Sequence, residues 1–212
     1  MKASECYQLG KSQSELDFVD LEVGVDNFLF IDPFAISQRP DPWSQDAHQI
    51  IVDFFQRIVT LIRANDRVRA LEALSHLREP NETRLGYSRG RSQGAGIGNI
   101  QADDLLNALS RSSAVQTGSL TSLEECELMI EGIGRDKISD LTTNIIRRKL
   151  AIYTKEQCEL HSIATSTLPL PPYYDAHEHQ WRSEYFDLPI ADGRPLVLVP
   201  KLIARYTFSY NQ

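Results

Sequence analysis

The N-terminal part of the chain alternates apolar and polar residues in the manner of a half-buried β-strand. Apolar side chains occupy every second position over residues 19–25, where a period of two puts them all on one face. Asp26 and Asn27 are turn residues, and the apolar run over residues 28–31 indicates a second strand. That strand must stop at Pro33, since proline cannot donate to a strand ladder. The pattern predicts a β-hairpin over residues 19–31.

Apolar residues then repeat at helical spacing in three segments. The first segment predicts a long buried helix that begins after Ser44, a plausible N-cap, and continues to about Asn65. The second predicts a short helix over residues 67–77, and the third a long helix over residues 136–160. The apolar positions of the two long helices are Ile50, Phe54, Ile58 and Leu61 in one, and Ile138, Leu141, Ile145 and Tyr153 in the other.

The C-terminal part returns to strand patterns. Residues 196–199 form a short apolar run between two prolines, which predicts a buried strand, and residues 203–208 alternate like an edge strand. The expected fold class is α+β, with two long buried helices packed on a small, mainly antiparallel sheet. We expect one domain over residues 1–212. Because the chain stops inside an apparent strand, this domain could be the N-terminal part of a longer chain.

The composition is that of an ordinary globular protein, with 42% hydrophobic and 24% charged residues, and it permits a sizeable core. The 29 acidic and 22 basic residues give a net charge of −7, and the field of such a protein repels phosphate. Nucleic acid would therefore need a local basic patch in order to bind.

No segment predicts export or membrane insertion. The residues after Met1 form no apolar signal region, and nowhere do about 18 apolar residues follow one another. The cysteines Cys6, Cys126 and Cys158 lie far apart without a CxxC pair, which is typical of free thiols in a reducing compartment. We expect a cytoplasmic protein with no membrane partner and no cysteine-based zinc site.

A glycine-rich, arginine-containing segment interrupts the helical pattern between residues 81 and 99. Five glycines fall within thirteen residues there, and glycine lets backbone N–H groups approach a phosphate closely. The segment lacks the Lys-Ser or Lys-Thr ending of a phosphate-binding Walker loop, so a flexible surface loop is the alternative. The candidate phosphate-binding residues are Arg84, Arg89, Arg91, Gly94, Gly96 and Gly98.

The start of the last long helix carries a polar stripe. Asp136, Asp140 and Asn144 are four residues apart and share one helix face. Two carboxylates one turn apart can share a hard cation such as Mg²⁺ or Mn²⁺, with Glu131 as a third ligand. The alternative is ordinary helix capping, because aspartate near a helix start complements the helix dipole.

Two further polar clusters have weaker chemical patterns. Lys201 follows the predicted strand 196–199, a place where metal-dependent nucleases of the restriction-enzyme type carry an acid and a water-orienting lysine. The matching acid is missing, so a lysine that protects a strand end is the alternative. His177 and His179 alternate around Glu178, but a proline- and aromatic-rich loop with no third ligand favours an exposed polar loop over a zinc site.

Residues 81–98, 130–147 and 196–201 together resemble an uncharacterised family of bacterial proteins, and residues 136–147 carry its most specific part. The resemblance extends over most of the chain, and related chains run longer than this one. Members of that family tend to occur beside restriction and phage-defence genes. The family has no settled activity, so the resemblance implies a setting and not a reaction.

Two functional hypotheses follow. The first is a Mg²⁺- or Mn²⁺-dependent phosphodiesterase or nuclease of bacterial defence, in which Asp136 and Asp140 hold the cation, Lys201 orients water and the arginine–glycine loop receives nucleic acid or a nucleotide. The second is a non-catalytic subunit of a defence complex that binds a protein partner, or a second copy of itself, through an exposed strand edge. They differ in one spatial expectation: the first requires the acidic and basic residues to share a pocket.

Overall fold

The structure is a computed structural model that describes residues 1–86, 99–118, 120, 122–123, 125–126, 130 and 133–206. Helices and short antiparallel strand pairs together confirm the predicted α+β class. The helices are α1 (Ala3–Cys6), α2 (Pro33–Ser37), α3 (Pro42–Arg63), α4 (Arg67–Leu74), α5 (Asn99–Arg111), α6 (Ser113–Thr117), α7 (Arg135–Ile145) and α8 (Arg147–His161).

The strands are short and pair two by two. Antiparallel pairing agrees with the prediction, but within the described part of the chain the strands form four separate two-stranded sheets instead of one. The pairs are β1 (Leu29–Ile31) with β8 (Ala204–Tyr206), β2 (Ser166–Pro169) with β5 (Tyr185–Leu188), β3 (Tyr173–Asp175) with β4 (Gln180–Arg182), and β6 (Ile190–Ala191) with β7 (Arg194–Pro195).

Helix α3 confirms the prediction made from the apolar spacing. Its N-cap is Asp41 and not Ser44: the Asp41 carboxylate accepts a hydrogen bond from the Ser44 backbone N–H, and Pro42 occupies the first helical position. The apolar face packs into the main core through Ile51, Phe54, Phe55, Ile58, Val59 and Ile62.

The predicted hairpin and the predicted strand over residues 196–199 are both wrong, because their backbone hydrogen bonds go to distant segments. The hairpin over residues 19–31 does not form, because the strand Leu29–Ile31 pairs with distant β8. Residues 196–199 are fully buried, as predicted, but they are not a strand. The backbone N–H of Val197 donates to the carbonyl of Glu82, and that of Leu198 donates to the Thr154 hydroxyl. Hydrogen bonds to a loop carbonyl and to a side chain thus replace the strand pairing that the apolar run predicted.

The helix predicted over residues 136–160 is divided at Ile146. Its backbone there has φ −92° and ψ 11°, so α7 ends and α8 begins around this residue. Hydrogen bonds from the Ile146 N–H to Thr142 and from the Leu150 N–H to Ile146 keep the two helices continuous. The break places Arg147 in the interior, with only 2% of its surface exposed.

The Arg147 guanidinium connects three segments that are far apart in sequence. Its Nε donates to Glu82 Oε1 at 2.7 Å, its Nη2 donates to Asn144 Oδ1 at 2.8 Å, and its Nη1 donates to the Pro172 carbonyl. The Asn144 amide in turn donates to the carbonyl of Arg78 and accepts from the Arg78 N–H. A buried charge is stable only when it is paired and hydrogen-bonded, and this one is.

None of the helices in the described part of the chain combines the length and the apolar character that crossing a membrane requires. Cys6, Cys126 and Cys158 are all free thiols.

Candidate functional site

Asp136 and Asp140 line the same cavity, of about 260 Å³, which we call the acidic cavity. Helix α7 supplies both carboxylates, and Glu79 contributes a third from the segment after α4. The other walls are Leu74, Leu77, Arg78, Ala102, Leu105, Lys137, Leu141 and Asn144. The helical spacing that predicted a shared face thus brings two of the predicted residues together.

The carboxylates of the acidic cavity hold their protons unusually tightly. Burial, reinforced by the charges of Asp136, Glu79 and Glu82, raises the pKa of Asp140 to about 8. Burial also raises the pKa of Asp136, and burial together with Asp26 and Asp136 raises the pKa of Glu79. Asp140 can therefore carry a proton at neutral pH, which is a property often seen at functional sites.

The metal hypothesis gains no third ligand from the geometry. Within the described ranges, no three histidine, cysteine, aspartate or glutamate side chains are grouped so that they could hold a metal ion. Glu131, the proposed third ligand, lies outside the described residues. Asn144, the third member of the stripe, uses its amide to bind Arg78 and Arg147. The magnesium or manganese site stays a prediction.

Lys201 is not among the residues that line the acidic cavity. Its amino group donates to the backbone carbonyls of Ser14 and Leu16, and it lies 3.9 Å from Asp17 Oδ1. The lysine therefore fastens the C-terminal segment to the N-terminal loop. In this arrangement its charge serves the fold and is not presented to a ligand beside Asp136.

Of the predicted phosphate-binding residues, only Arg84 lies in the described part of the chain. Its side chain is buried, with its residue 4% exposed, and its Nη1 donates to the Asn81 carbonyl at 2.6 Å. Burial lowers the pKa of Arg84, and the nearby carboxylates of Asp192, Asp26 and Glu82 oppose that shift. Arg89, Arg91, Gly94, Gly96 and Gly98 lie outside the described residues.

His177, Glu178 and His179 form the turn of the β3–β4 hairpin. His179 Nδ1 lies 2.9 Å from the Tyr174 hydroxyl and 3.2 Å from Asp53 Oδ2, while the Tyr174 hydroxyl donates to the same Asp53 oxygen. These contacts among Tyr174, His179 and Asp53 connect the hairpin to α3.

A larger cavity, of about 700 Å³, has walls that are rich in charge. It lies between α3, the first turns of α8 and the β3–β4 hairpin, and we call it the paired-charge cleft. Its charged lining residues are Arg148, Lys149, Arg182, Asp46, Asp175 and Glu184. Its volume is in the range of sites that hold drug-sized ligands.

Each cation of the paired-charge cleft faces one carboxylate. Arg148 Nε lies 3.5 Å from Glu184, Arg182 Nε lies 3.2 Å from Asp175, and Lys149 Nζ lies close to Asp46. Aromatic rings support two of these cations: the Arg148 guanidinium lies over Tyr173 and the Lys149 amino group over Trp43.

No pattern in the sequence predicts this cleft. Its walls come from three stretches, around residues 46–50, 145–152 and 173–184, and the residues of each stretch also suit an ordinary solvated surface. The one local signal was the aromatic stretch that contains Tyr173 and Tyr174, both of which line the cleft.

The fold is of the α+β class and is built on α3, α7 and α8. The acidic cavity and the paired-charge cleft do not by themselves identify a reaction. A family described as a domain of unknown function (DUF8370) matches residues 8–211, and the chain belongs to that family. No curated protein and no solved structure matches the chain.

Replacing Asp140 by asparagine is expected to change how the free energy of unfolding depends on pH. Because the pKa of Asp140 is about 8 in the folded protein and 3.8 ordinarily, the folded state binds its proton more tightly than the unfolded chain does. The contribution of Asp140 to the stability of the wild-type protein should therefore fall as the pH rises from about 4 to about 8. Asp140→Asn should gain stability relative to the wild type over that range and match it below about pH 4.

Urea unfolding at a series of pH values measures this difference. Asp187→Asn, which removes a half-buried carboxylate from β5 outside the acidic cavity, is the control and should keep the difference from Asp140→Asn. Parallel curves for the wild type and Asp140→Asn would show that Asp140 is not protonated at neutral pH.

Proposed function

We propose that this protein is a non-catalytic binding module that recognises a protein partner through the paired-charge cleft. The observation that carries the proposal is the cleft itself: about 700 Å³ of open volume, with charged side chains of both signs and exposed ion pairs. Subunits of protein complexes use polar, charged surfaces of this kind to select partners. The resemblance to proteins encoded beside phage-defence genes favours a cytoplasmic defence complex as the setting.

The positions of the residues proposed for catalysis support a binding function, because Lys201 does not line the cavity that holds Asp136 and Asp140. A phosphodiesterase mechanism needs Lys201 near Asp136 and Asp140, but the Lys201 amino group is bonded to the carbonyls of Ser14 and Leu16. Arg84, the described member of the proposed phosphate loop, is buried. A binding module requires neither group to reach a substrate.

A photoreactive amino acid in place of Ser183 is expected to cross-link a defined partner in living host cells. Ser183 is exposed and lines the cleft, so a partner seated there lies within reach. The same substitution at Ser113, an exposed serine at the start of α6 that does not line the cleft, is the matched control. Gel shift and mass spectrometry identify the product.

The cross-link at position 183 should disappear when Arg148→Gln and Arg182→Gln are added to the same chain. Equal cross-linking from positions 183 and 113, or a product that survives loss of both arginines, would contradict recognition through the cleft.

One observation favours a second candidate function, a metal-dependent phosphodiesterase or nuclease. Asp136 and Asp140 share the acidic cavity, and a carboxyl group with a pKa near 8 is suited to act as a general acid or base. Helix α5, which lines this cavity through Ala102 and Leu105, follows the glycine-rich segment in the chain.

Incubation of the purified protein with DNA, RNA and nucleotides, with and without Mn²⁺, separates the two functions. The binding module is expected to leave all these substrates intact, because its cleft holds no assembled catalytic group. Cleavage that requires Mn²⁺ and is lost in Asp136→Asn and Asp140→Asn, but kept in Asp187→Asn, would establish the phosphodiesterase instead.

A further inference from the structure

The two arginines of the paired-charge cleft bind their carboxylates from one side only. Arg148 meets Glu184 through Nε at 3.5 Å, and Arg182 meets Asp175 through Nε at 3.2 Å. A guanidinium also has two Nη groups at its end, which form a planar fork suited to a second carboxylate. Arg182 contacts Asp175 through Nε, whereas Arg148 also hydrogen-bonds with the Tyr173 hydroxyl, which in turn donates to Glu184.

Two of the three carboxylates of the cleft, those of Asp46 and Glu184, are exposed enough to change partners. The Asp46 side chain is 64% exposed and that of Glu184 is 47% exposed, so water already competes for their ion pairs. Exposed ion pairs contribute little to stability, and a ligand can therefore replace one partner at small cost. When a ligand with charges of both signs displaces an ion pair of the cleft, each of the two separated side chains gains a ligand group of opposite charge.

We infer that the paired-charge cleft takes a segment of polypeptide that carries both a carboxylate and an ammonium side chain. The inference rests on the proposed binding function and names the chemistry of the partner. The ligand carboxylate binds the fork of Arg148 or Arg182, and the ligand ammonium binds the released Glu184 or Asp175. Charge complementarity of this kind selects one partner and repels ligands of a single sign.

A ligand whose charges all have one sign is repelled by the side chains of the same sign in the cleft. A polyanion such as a nucleic acid strand would approach Asp46, Asp175 and Glu184, in a protein whose net charge is −7. The Tyr173 ring, which could stack on a base, is already covered by Arg148. A polycation would approach Arg148, Lys149 and Arg182.

A natural reporter of binding lies beside the cleft. Lys149 Nζ lies 5.4 Å from the centre of the Trp43 ring, and its partner Asp46 lines the cleft. A ligand carboxylate or ammonium that competes for this pair moves the amino group relative to the ring. Trp43 and Trp181 are the two tryptophans of the chain, so their fluorescence reports on this region.

The test uses three blocked hexapeptides and the full-length protein. One peptide alternates glutamate and lysine, one combines glutamate with glycine, and one combines lysine with glycine; a nucleoside monophosphate is the fourth ligand. Calorimetric and fluorescence titrations measure the dissociation constants at low salt. We expect the mixed peptide to bind at least about tenfold more tightly than each of the other three ligands.

The double variant Arg148→Gln and Arg182→Gln should weaken the mixed peptide by about tenfold or more, because both forks are lost. The matched control is Arg67→Gln with Arg69→Gln on α4. It removes two exposed arginines that also pair with carboxylates, outside the cleft, and should leave the affinity unchanged. Thermal unfolding of both variants verifies that the fold is retained.

The remaining outcomes overturn the inference in distinguishable ways. Equal binding of the mixed peptide and the glutamate peptide would show a site for simple anions, and preference for the nucleotide would show a phosphate site. Failure of all four ligands to bind would reject the paired-charge chemistry. A cross-link from position 183 that depends on both arginines would still uphold the binding module itself.

Discussion

The guanidinium of Arg147 is buried and donates hydrogen bonds to Glu82, to Asn144 and to the carbonyl of Pro172. These groups belong to the segment after α4, to α7 and to the residues before β3, so one side chain fixes the relative positions of three parts of the chain. Removing either partner of such a pair leaves an uncompensated charge in the interior, which is among the costliest changes a core can undergo. The arrangement of the remaining elements depends on this constraint.

Both cavities border the region that Arg147 organises. Asn144 lines the acidic cavity and the next residue, Ile145, lines the paired-charge cleft. Pro172, which accepts from Arg147, directly precedes the hairpin that forms one wall of the cleft. A shift of the break between α7 and α8 would therefore alter the shape of both cavities together.

The two cavities treat charge differently. In the acidic cavity, partial burial disfavours the charged form of Asp140 and neighbouring carboxylates repel it, and a proton retained on Asp140 relieves both effects. In the paired-charge cleft each carboxylate has a cation beside it, and the pair between Arg148 and Glu184 is exposed enough to exchange. The first cavity is suited to respond to pH, whereas the second is suited to recognise another charged molecule.

Local patterns predicted the parts of the structure that depend on local physics. The apolar spacing predicted helix α3, and the spacing of Asp136 and Asp140 predicted that they share a face, because helical geometry fixes both. The same reasoning predicted that residues 196–199 are buried but assigned them to a strand, since hydrophobicity does not specify which groups satisfy the backbone. The position of Lys201, the burial of Arg147 and the cleft all depend on contacts between distant segments, and no spacing in the sequence records those contacts.

A double-mutant cycle on Arg147 and Glu82 tests most directly whether this buried pair holds the structure together. The free energy of unfolding would be measured by urea denaturation for the wild type, Arg147→Met, Glu82→Gln and the double variant. If the pair is the constraint described here, each single change destabilises the protein by about 3–5 kcal/mol, and the two changes are non-additive by about 1–3 kcal/mol. Effects that add to within about 0.5 kcal/mol would show that Arg147 and Glu82 act independently and would contradict the account.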